Sequence, residues 1–284
     1  MFPEQGDRMQ TEMVSLTREK ETLLITLWAK AGESLLPDSL LKDRFAAEAA
    51  ARIDYNFARL KVDRDLMVGL AMRAHTLDGW TRAFLTGNRD AIVLHLGCGL
   101  DSRVFRIDPP DGIDWYEVDY PDVIALRRKL YPARGNHHLI GSSVTETGWL
   151  AAVPRDRPAM IVAEGLLPYL PEEEVPLLLE RLVRHCRSGE IVFDAYSPLG
   201  LKLIALQPSI RATGAVLHWS LGDPAELEQQ VPGLELATEL TAYDPNGYDA
   251  AQIARMSWPA RFAMQFFSLI PPLARIGLLL RYRF

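Results

Sequence analysis

Two glycines flank a cysteine at Gly97-Cys98-Gly99, directly after the apolar, β-branched run AIVLHL (91–96). Asp119 closes the next such run, IDWYEVD (113–119). Glycines at a strand end admit positive φ and let the backbone approach a ligand with no Cβ in the way. In an open parallel sheet, ligands lie beyond the carboxyl ends of the strands, and an acidic side chain about twenty residues after the glycines is where a ribose diol is held. Glu117 points to the same strand face one pleat deeper and competes for that role; the strand-end position favours Asp119. A dinucleotide turn would carry a third glycine to bring a pyrophosphate onto a helix N-terminus. Here Asp101 and Ser102 stand instead. A pyrophosphate would meet a carboxylate there, whereas a sulfonium cation would not. The turn therefore points to S-adenosylmethionine, with a nicotinamide oxidoreductase as the alternative.

Other residues could join this site. Glu164 ends the apolar run AMIVA, where an ionised carboxylate is costly without a cationic partner. Arg73 sits on an apolar helical stretch, LAMRAHTLD, as a snorkelling surface arginine or a functional one. Lys20 lies in the charged run TREKE, and Tyr169 beside Leu166 and Leu170, as core or as pocket wall. His137 and His138 start an expected strand and read as structural; His95 alternates within the first strand and reads as buried and hydrogen-bonded. No histidine pair has metal-ligand spacing with a third ligand, so no metal is expected. No GxSxG elbow is present, which leaves a hydrolase without support.

The elements that must position these residues follow from periodicity. Helical spacing runs through SLTREKETLLITLWAKA (15–31), with Leu23, Leu24, Leu27 and Trp28 on one face, then through SLLKDRFAAEAAARI with Asp38 as its N-cap, then through DRDLMVGLAMRAHTLDGWTRAFL. Strands are expected at 91–96, 113–119, 137–141, 159–164 and 189–195, with helices at 121–131 and at PEEEVPLLLERLVRHCR between the last two. Short apolar strands alternating with helices indicate a parallel sheet covered on both faces. GLELATELTAYD (233–244) and RIGLLLRYRF (275–284) read as closing strands, and FFSLIPPLARIGLLL, broken by two prolines and an arginine, as buried structure. Residues 1–14 read as a mobile polar start. One domain is expected: a helical cap (1–90), a cofactor core (91–196), an acceptor lid (197–232) and closing strands (233–284).

Bulk properties narrow the partners. The formal net charge is −6 with no Lys/Arg stripe, which argues against nucleic acid. Two distant cysteines, Cys98 and Cys186, read as free thiols of a reducing cytoplasm. No run of eighteen apolar residues suggests a membrane span.

The segments GCGLDSRVFRI, WYEVDYPDVIALRRKL and VAEGLLPYLPEEEV, in this order, resemble the leucine carboxyl methyltransferase-like group, in particular its tetracenomycin-type polyketide O-methyltransferase branch. TREKETLLITLWAKA and the helix bearing Arg73 resemble that group's N-terminal cap. The resemblance implies a class I methyltransferase fold, Rossmann-like, with a mostly parallel seven-stranded sheet. It implies that Gly97 and Gly99 line the methionine part of the cofactor and that Asp119 binds the ribose. Arg73 and Lys20 would hold the cofactor's carboxylate or the acceptor, Glu164 would stand near its amino group, and Ser143 and Val144 beside its adenine. Ser143 replaces the usual Asp and Cys98 the usual Ala.

The function expected is S-adenosylmethionine-dependent O-methylation of a carboxyl or hydroxyl group on a small apolar or polyketide-like acceptor, with S-adenosylhomocysteine as product. Arg73 and Tyr169 are the candidate catalytic residues. No dedicated base stands out, which favours a carboxyl acceptor, since a phenol with a pKa near ~10 would want one. Alternatives are a protein C-terminal carboxyl methyltransferase and a non-catalytic relative. A monomer or homodimer is expected.

Overall fold

The computed structural model describes residues 11–14, 16–241, 248 and 250–284. The expected mobile start up to residue 10, the expected first helical residue Ser15 and the end of the strand expected over 233–244 lie outside them.

Three helices come first: α1 (Thr22–Ser34), α2 (Arg44–Ala51) and α3 (Arg64–Gly87). A 3₁₀ turn, Arg18–Glu21, leads into α1. The N-cap of α2 is Asp43, whose Oδ1 accepts from Ala46 N at 2.9 Å. Asp38, the expected cap, lies five residues before Asp43 and pairs with Arg255 instead. Leu24, Leu27 and Ala31 of α1 pack with Ala46, Ala49 and Ala50 of α2 in a separate cap core that also takes in Leu100 and Tyr131.

The sheet then builds through β1 (Ile92–Leu96), β2 (Asp114–Asp119), β3 (His137–Gly141), β4 (Ala159–Ala163), β5 (Gly189–Tyr196), β6 (Glu235–Thr241) and β7 (Gly277–Arg283). Its spatial order is β3-β2-β1-β4-β5-β7-β6. All pairs among the first five strands are parallel, while β7 runs antiparallel to both neighbours. Short helices α4 (Arg103–Ile107) and α5 (Pro121–Leu130) follow β1 and β2, and α6 (Glu174–His185) joins β4 to β5.

Both faces of the sheet are apolar, as a doubly covered sheet requires. Ile92, Leu94 and Leu96 face one side with Leu178, Leu179 and Leu182 of α6. Val93 faces the other with Leu77, Phe84 and Leu85 of α3. The strand order reverses between β1 and β4, and at such a switch point the helices diverge and leave a crevice beyond the strand ends.

Between β5 and β7 run α7 (Pro198–Ala205), α8 (Pro208–Thr213), α9 (Ala225–Gln230), α10 (Ala250–Ala254), α11 (Trp258–Ser268) and α12 (Pro271–Ala274). Of the FFSLIPPLARIGLLL run expected to be buried, Ile276, Leu278, Leu279 and Leu280 are, but Phe266 on α11 and Leu269 just after it are exposed. Among the described residues, no helix is long and apolar enough to cross a membrane.

Candidate functional site

A cavity of about 210 Å³ opens at the carboxyl ends of β1, β2, β4 and β5, under α1, α3 and the α7–α8 turn. Its floor is the glycine turn. Gly97 and Gly99 hold φ of +56° and +49°. A Cβ on Gly97 would stand 2.7 Å from Leu166 Cδ1, and one on Gly99 3.2 Å from Leu23 Cβ. Both the left-handed backbone and the close approach therefore require glycine.

Asp119 turns back onto that floor. Its Oδ2 accepts from Gly99 N and its Oδ1 from Tyr120 N, each at 2.7 Å. Burial raises its pKa, and the two backbone donors only partly offset this. Glu117 goes elsewhere: fully buried, it pairs with Arg127 and lies 2.9 Å from His137 Nε2. Burial acts to raise its pKa, yet Arg127 and the neighbouring histidines hold it below the ordinary carboxylate range. Arg127 also donates to the carbonyls of Gly99 and Asp101, both at 2.9 Å. Glu117 thus braces the turn from behind, and Asp119 is the carboxylate that lines the cavity.

A buried ionic network forms the opposite wall. Glu164, just past β4, accepts at Oε1 from Arg73 Nε and Nη2 at 3.2 and 3.1 Å, lies 3.0 Å from Lys30 Nζ, and pairs through Oε2 with Arg103. Lys30 Nζ also donates to Asp101 Oδ2 at 3.0 Å. Arg73 Nη1 reaches Asp194 Oδ2 on β5 at 2.9 Å. Arg106 ties Asp101 to Asp43 and Asp78, and Arg103 also holds Asp78. Four cations meet five carboxylates, leaving one negative charge in excess. Burial acts to raise the pKa of Glu164, but Lys30, Arg73 and Arg103 hold it well below the usual range. Asp101 is held down in the same way by Arg106, Lys30 and Arg103. Both stay ionised at neutral pH. A wall with surplus negative charge, facing Asp119, accommodates a cationic ligand and repels a phosphate.

Helix α1 supplies a polar stripe to the cavity through Thr22, Thr26 and Lys30, one helical turn apart, in an otherwise apolar segment. Tyr169 follows β4 and Tyr196 ends β5; burial pushes the Tyr169 phenol up to about 12 and raises that of Tyr196 as well. Both are therefore donors at neutral pH. The histidine among the lining residues, His95, has a pKa lowered by burial, and its Nε2 lies 3.3 Å from Arg103 Nη1. Arginine can only donate, so that ring nitrogen is already engaged as an acceptor.

The structure thus brings Gly97, Gly99, Asp119, Glu164, Arg73, Lys20 and Tyr169 around one cavity. Lys20 sits at its rim, paired with Asp122 at 2.8 Å and 4.5 Å above the Tyr120 ring, rather than reaching inward. Ser143 and Val144 do not line the cavity. Ser143 Oγ bonds Thr145 Oγ1 at 2.8 Å, and Val144 is buried in the main core. Of the expected lid, Ile204, Gln207, Ser209 and Ile210 line the cavity. Trp219 does not: buried against Phe193, it closes the main core, as a large aromatic with an apolar neighbour does. Lys30, Asp194 and Tyr196 were not picked out by sequence. For Lys30 the available signal was its one-turn spacing from Thr26 and Thr22 on an apolar helix. Asp194 gave none, since it reads as a polar break in a buried strand.

Comparison with known proteins agrees with this geometry. The profile of the family described as "Leucine carboxyl methyltransferase" matches residues 24–183. The tetracenomycin polyketide synthesis O-methyltransferase TcmP of Streptomyces glaucescens is 46% identical over 82% of this chain and 86% of its own. An S-adenosyl-L-methionine-dependent methyltransferase of Gibberella zeae is 35% identical over 96% of this chain and 97% of its own. Among solved structures, a duf574 family protein of Streptomyces avermitilis superposes with a TM-score of 0.60 at 14% identity, covering 92% of this chain and 96% of that one. At that identity the likeness speaks for the fold.

Proposed function

The chain belongs to the leucine carboxyl methyltransferase family and is an S-adenosylmethionine-dependent methyltransferase; from that premise we propose that it methylates a carboxyl group on a small apolar or polyketide-like acceptor. The observation that carries the carboxyl reading is that, among the described residues, the carboxylates beside Arg73, Glu164 and Asp194, are already ion-paired with it and so are not free to serve as a base. The phenols of Tyr169 and Tyr196 are protonated, and the lone pair of His95 is engaged. A phenol acceptor would arrive protonated and need a base, whereas a carboxylate is already a nucleophile at neutral pH.

The residues present fit the cofactor. The glycine turn gives a close backbone floor, Asp119 can accept from ribose hydroxyls, and the network around Glu164 suits a cationic amino-acid end. When bound, the cofactor would supply a methyl group activated by a sulfonium for in-line transfer to the acceptor oxygen, the O–C bond forming as the C–S bond breaks and neutral S-adenosylhomocysteine leaving. Everything else falls to orientation and dryness. Arg73 commits three of its five N–H groups to Glu164 and Asp194, so its remaining donors, with Tyr169 and Tyr196, can hold an acceptor carboxylate. Lys20 acts from the rim, and Ser143 and Val144 act on the adenine end by shaping the loop after β3 rather than by contact. Helices α7 and α8 serve as the acceptor lid, with Ile204 and Ile210 giving it an apolar lining.

The test is methyl transfer from label-bearing cofactor to 2-naphthoic acid and to 2-naphthol. Transfer to the acid as a product that releases methanol in alkali is expected. An alkali-stable product formed from the naphthol alone would assign a hydroxyl acceptor instead.

A further inference from the structure

Lys30 is a lysine with only 2% of its side chain exposed, on a helix whose other faces are packed in the cap core. Burying an ammonium is costly unless its donors are met by charge. Two of its three N–H groups are met, at 3.0 Å each, by Asp101 and Glu164. These carboxylates come from different strands: Asp101 follows the glycine turn after β1, and Glu164 follows β4. They are the two strands that flank the switch point. Each disfavours the other's ionised form, so they would separate if unbridged. Arg103 bridges them from the sheet side, 3.5 Å from Asp101, and is itself bound to Asp78. Lys30 bridges them from the cap and also lines the cavity.

We infer that Lys30 is a positioning residue of the cofactor site, drawn from the helical cap to hold Asp101 and Glu164 together in the wall that would face the bound cofactor. This rests on the reading of the cavity as a cofactor site. It has a second consequence. Lys30 places a positive charge at a wall that must accept the sulfonium of S-adenosylmethionine but not the neutral thioether of S-adenosylhomocysteine. Its removal therefore harms the product complex more than the substrate complex.

Calorimetry with both ligands tests this without turnover. Lys30→Met should weaken S-adenosylhomocysteine by about tenfold or more and S-adenosylmethionine by less, and Lys30→Arg should recover most of the loss. In a Glu164→Gln background the same substitution should weaken S-adenosylhomocysteine clearly less than it does in the wild type, because one of the two carboxylates that Lys30 bridges is gone and only Asp101 remains. Where Lys30→Met does not fold, Lys30→Gln, which keeps hydrogen bonding without charge, carries the same expectations. Wild-type affinities in the variant, an unchanged ratio between the two ligands, or an equal loss in the Glu164→Gln background would each overturn the inference. Failure of the wild-type chain to bind either ligand would instead overturn the reading of the cavity.

Discussion

Glu117 and Asp119 stand two residues apart on one face of β2 and reach opposite electrostatic ends. Glu117 is neutralised by Arg127 and becomes part of the scaffold under the glycine turn. Among the described residues Asp119 forms no ion pair and accepts from two backbone donors, and burial raises its pKa. The role of a carboxylate here is set by which partner the next helix brings: α5 places Arg127 beneath Glu117 and leaves Asp119 facing the cavity. Because hydrogen bonds to an ionised acceptor contribute about 1.5–3 kcal/mol, Asp119→Ala should weaken S-adenosylhomocysteine binding by about tenfold to a hundredfold. The ionised form is the better acceptor, and its pKa is raised. Affinity of the wild-type protein should therefore begin to fall, as pH decreases, before the ordinary carboxylate range near ~4 is reached. The alanine variant should lack that decline; a pH series of titrations from neutral to mildly acidic conditions shows which holds. Asp119 was legible because its chemistry sits at a fixed distance from the glycines. Lys30 was faint: its one-turn spacing from Thr26 and Thr22 hinted at a shared face, but its partners Asp101 and Glu164 follow other strands, and the packed cap is what turns that face inward.

Elements were legible where one local pattern decided them. The five parallel strands fall within a residue or so of the expected runs; the inner ones, β1, β2, β4 and β5, are almost wholly buried and so nearly continuous in apolar residues, while β3 at the edge is only part-buried. Caps and lids were harder. Asp38 and Asp43 both precede the α2 segment; Asp43 is the one whose side chain accepts from Ala46 N, and tertiary pairing with Arg106 holds it there while Asp38 pairs with Arg255. The α7–α12 region has apolar residues on every side, and its partition into lid and core is set by which of them meet β5. Gly200 in α7 shows the tightness of that docking. A Cβ there would stand 1.9 Å from the Ile276 carbonyl oxygen just before β7, a backbone atom that cannot rotate away. Gly200→Ala should therefore lower thermal stability by an amount typical of overpacking, about 1–3 kcal/mol, despite alanine's better helix propensity. If α7 is the acceptor lid, the KM for the acceptor should rise while S-adenosylhomocysteine affinity stays near wild type. A stabilised variant with unchanged KM would show that α7 is free to shift and is not a fixed wall.

At the scale of the molecule, the cap is joined to the sheet by charge as well as by apolar packing. Lys30 and Asp43 on the cap side meet Asp101, Glu164 and Arg106 of the core, and all of these side chains are nearly or fully buried. Such a network costs desolvation to assemble and is strongly destabilising to break at one member. It also links folding to pH. Glu164, Asp101, Asp78 and Glu117 all have folded pKa values below their ordinary ones, in each case because arginine or lysine neighbours outweigh burial. For a group depressed in this direction, the stabilisation is fully present above the unfolded pKa, near ~4, and is lost as pH falls through the folded value. Asp119 is raised and opposes this weakly. The chain should therefore keep its neutral-pH stability down to about pH 5 and lose it steeply below ~4, with several protons taken up on unfolding. Urea unfolding at a series of pH values gives that proton count as the slope of free energy against pH. Glu164→Gln should start from lower stability at neutral pH and show a shallower acid slope, by about one proton, because one depressed carboxylate is missing. The buried pairs are poorly screened, so added salt should move these curves little. Parallel acid slopes in the two proteins would mean that Glu164 is not held ionised in the fold, and the negative wall proposed for the cationic cofactor would lose its main member.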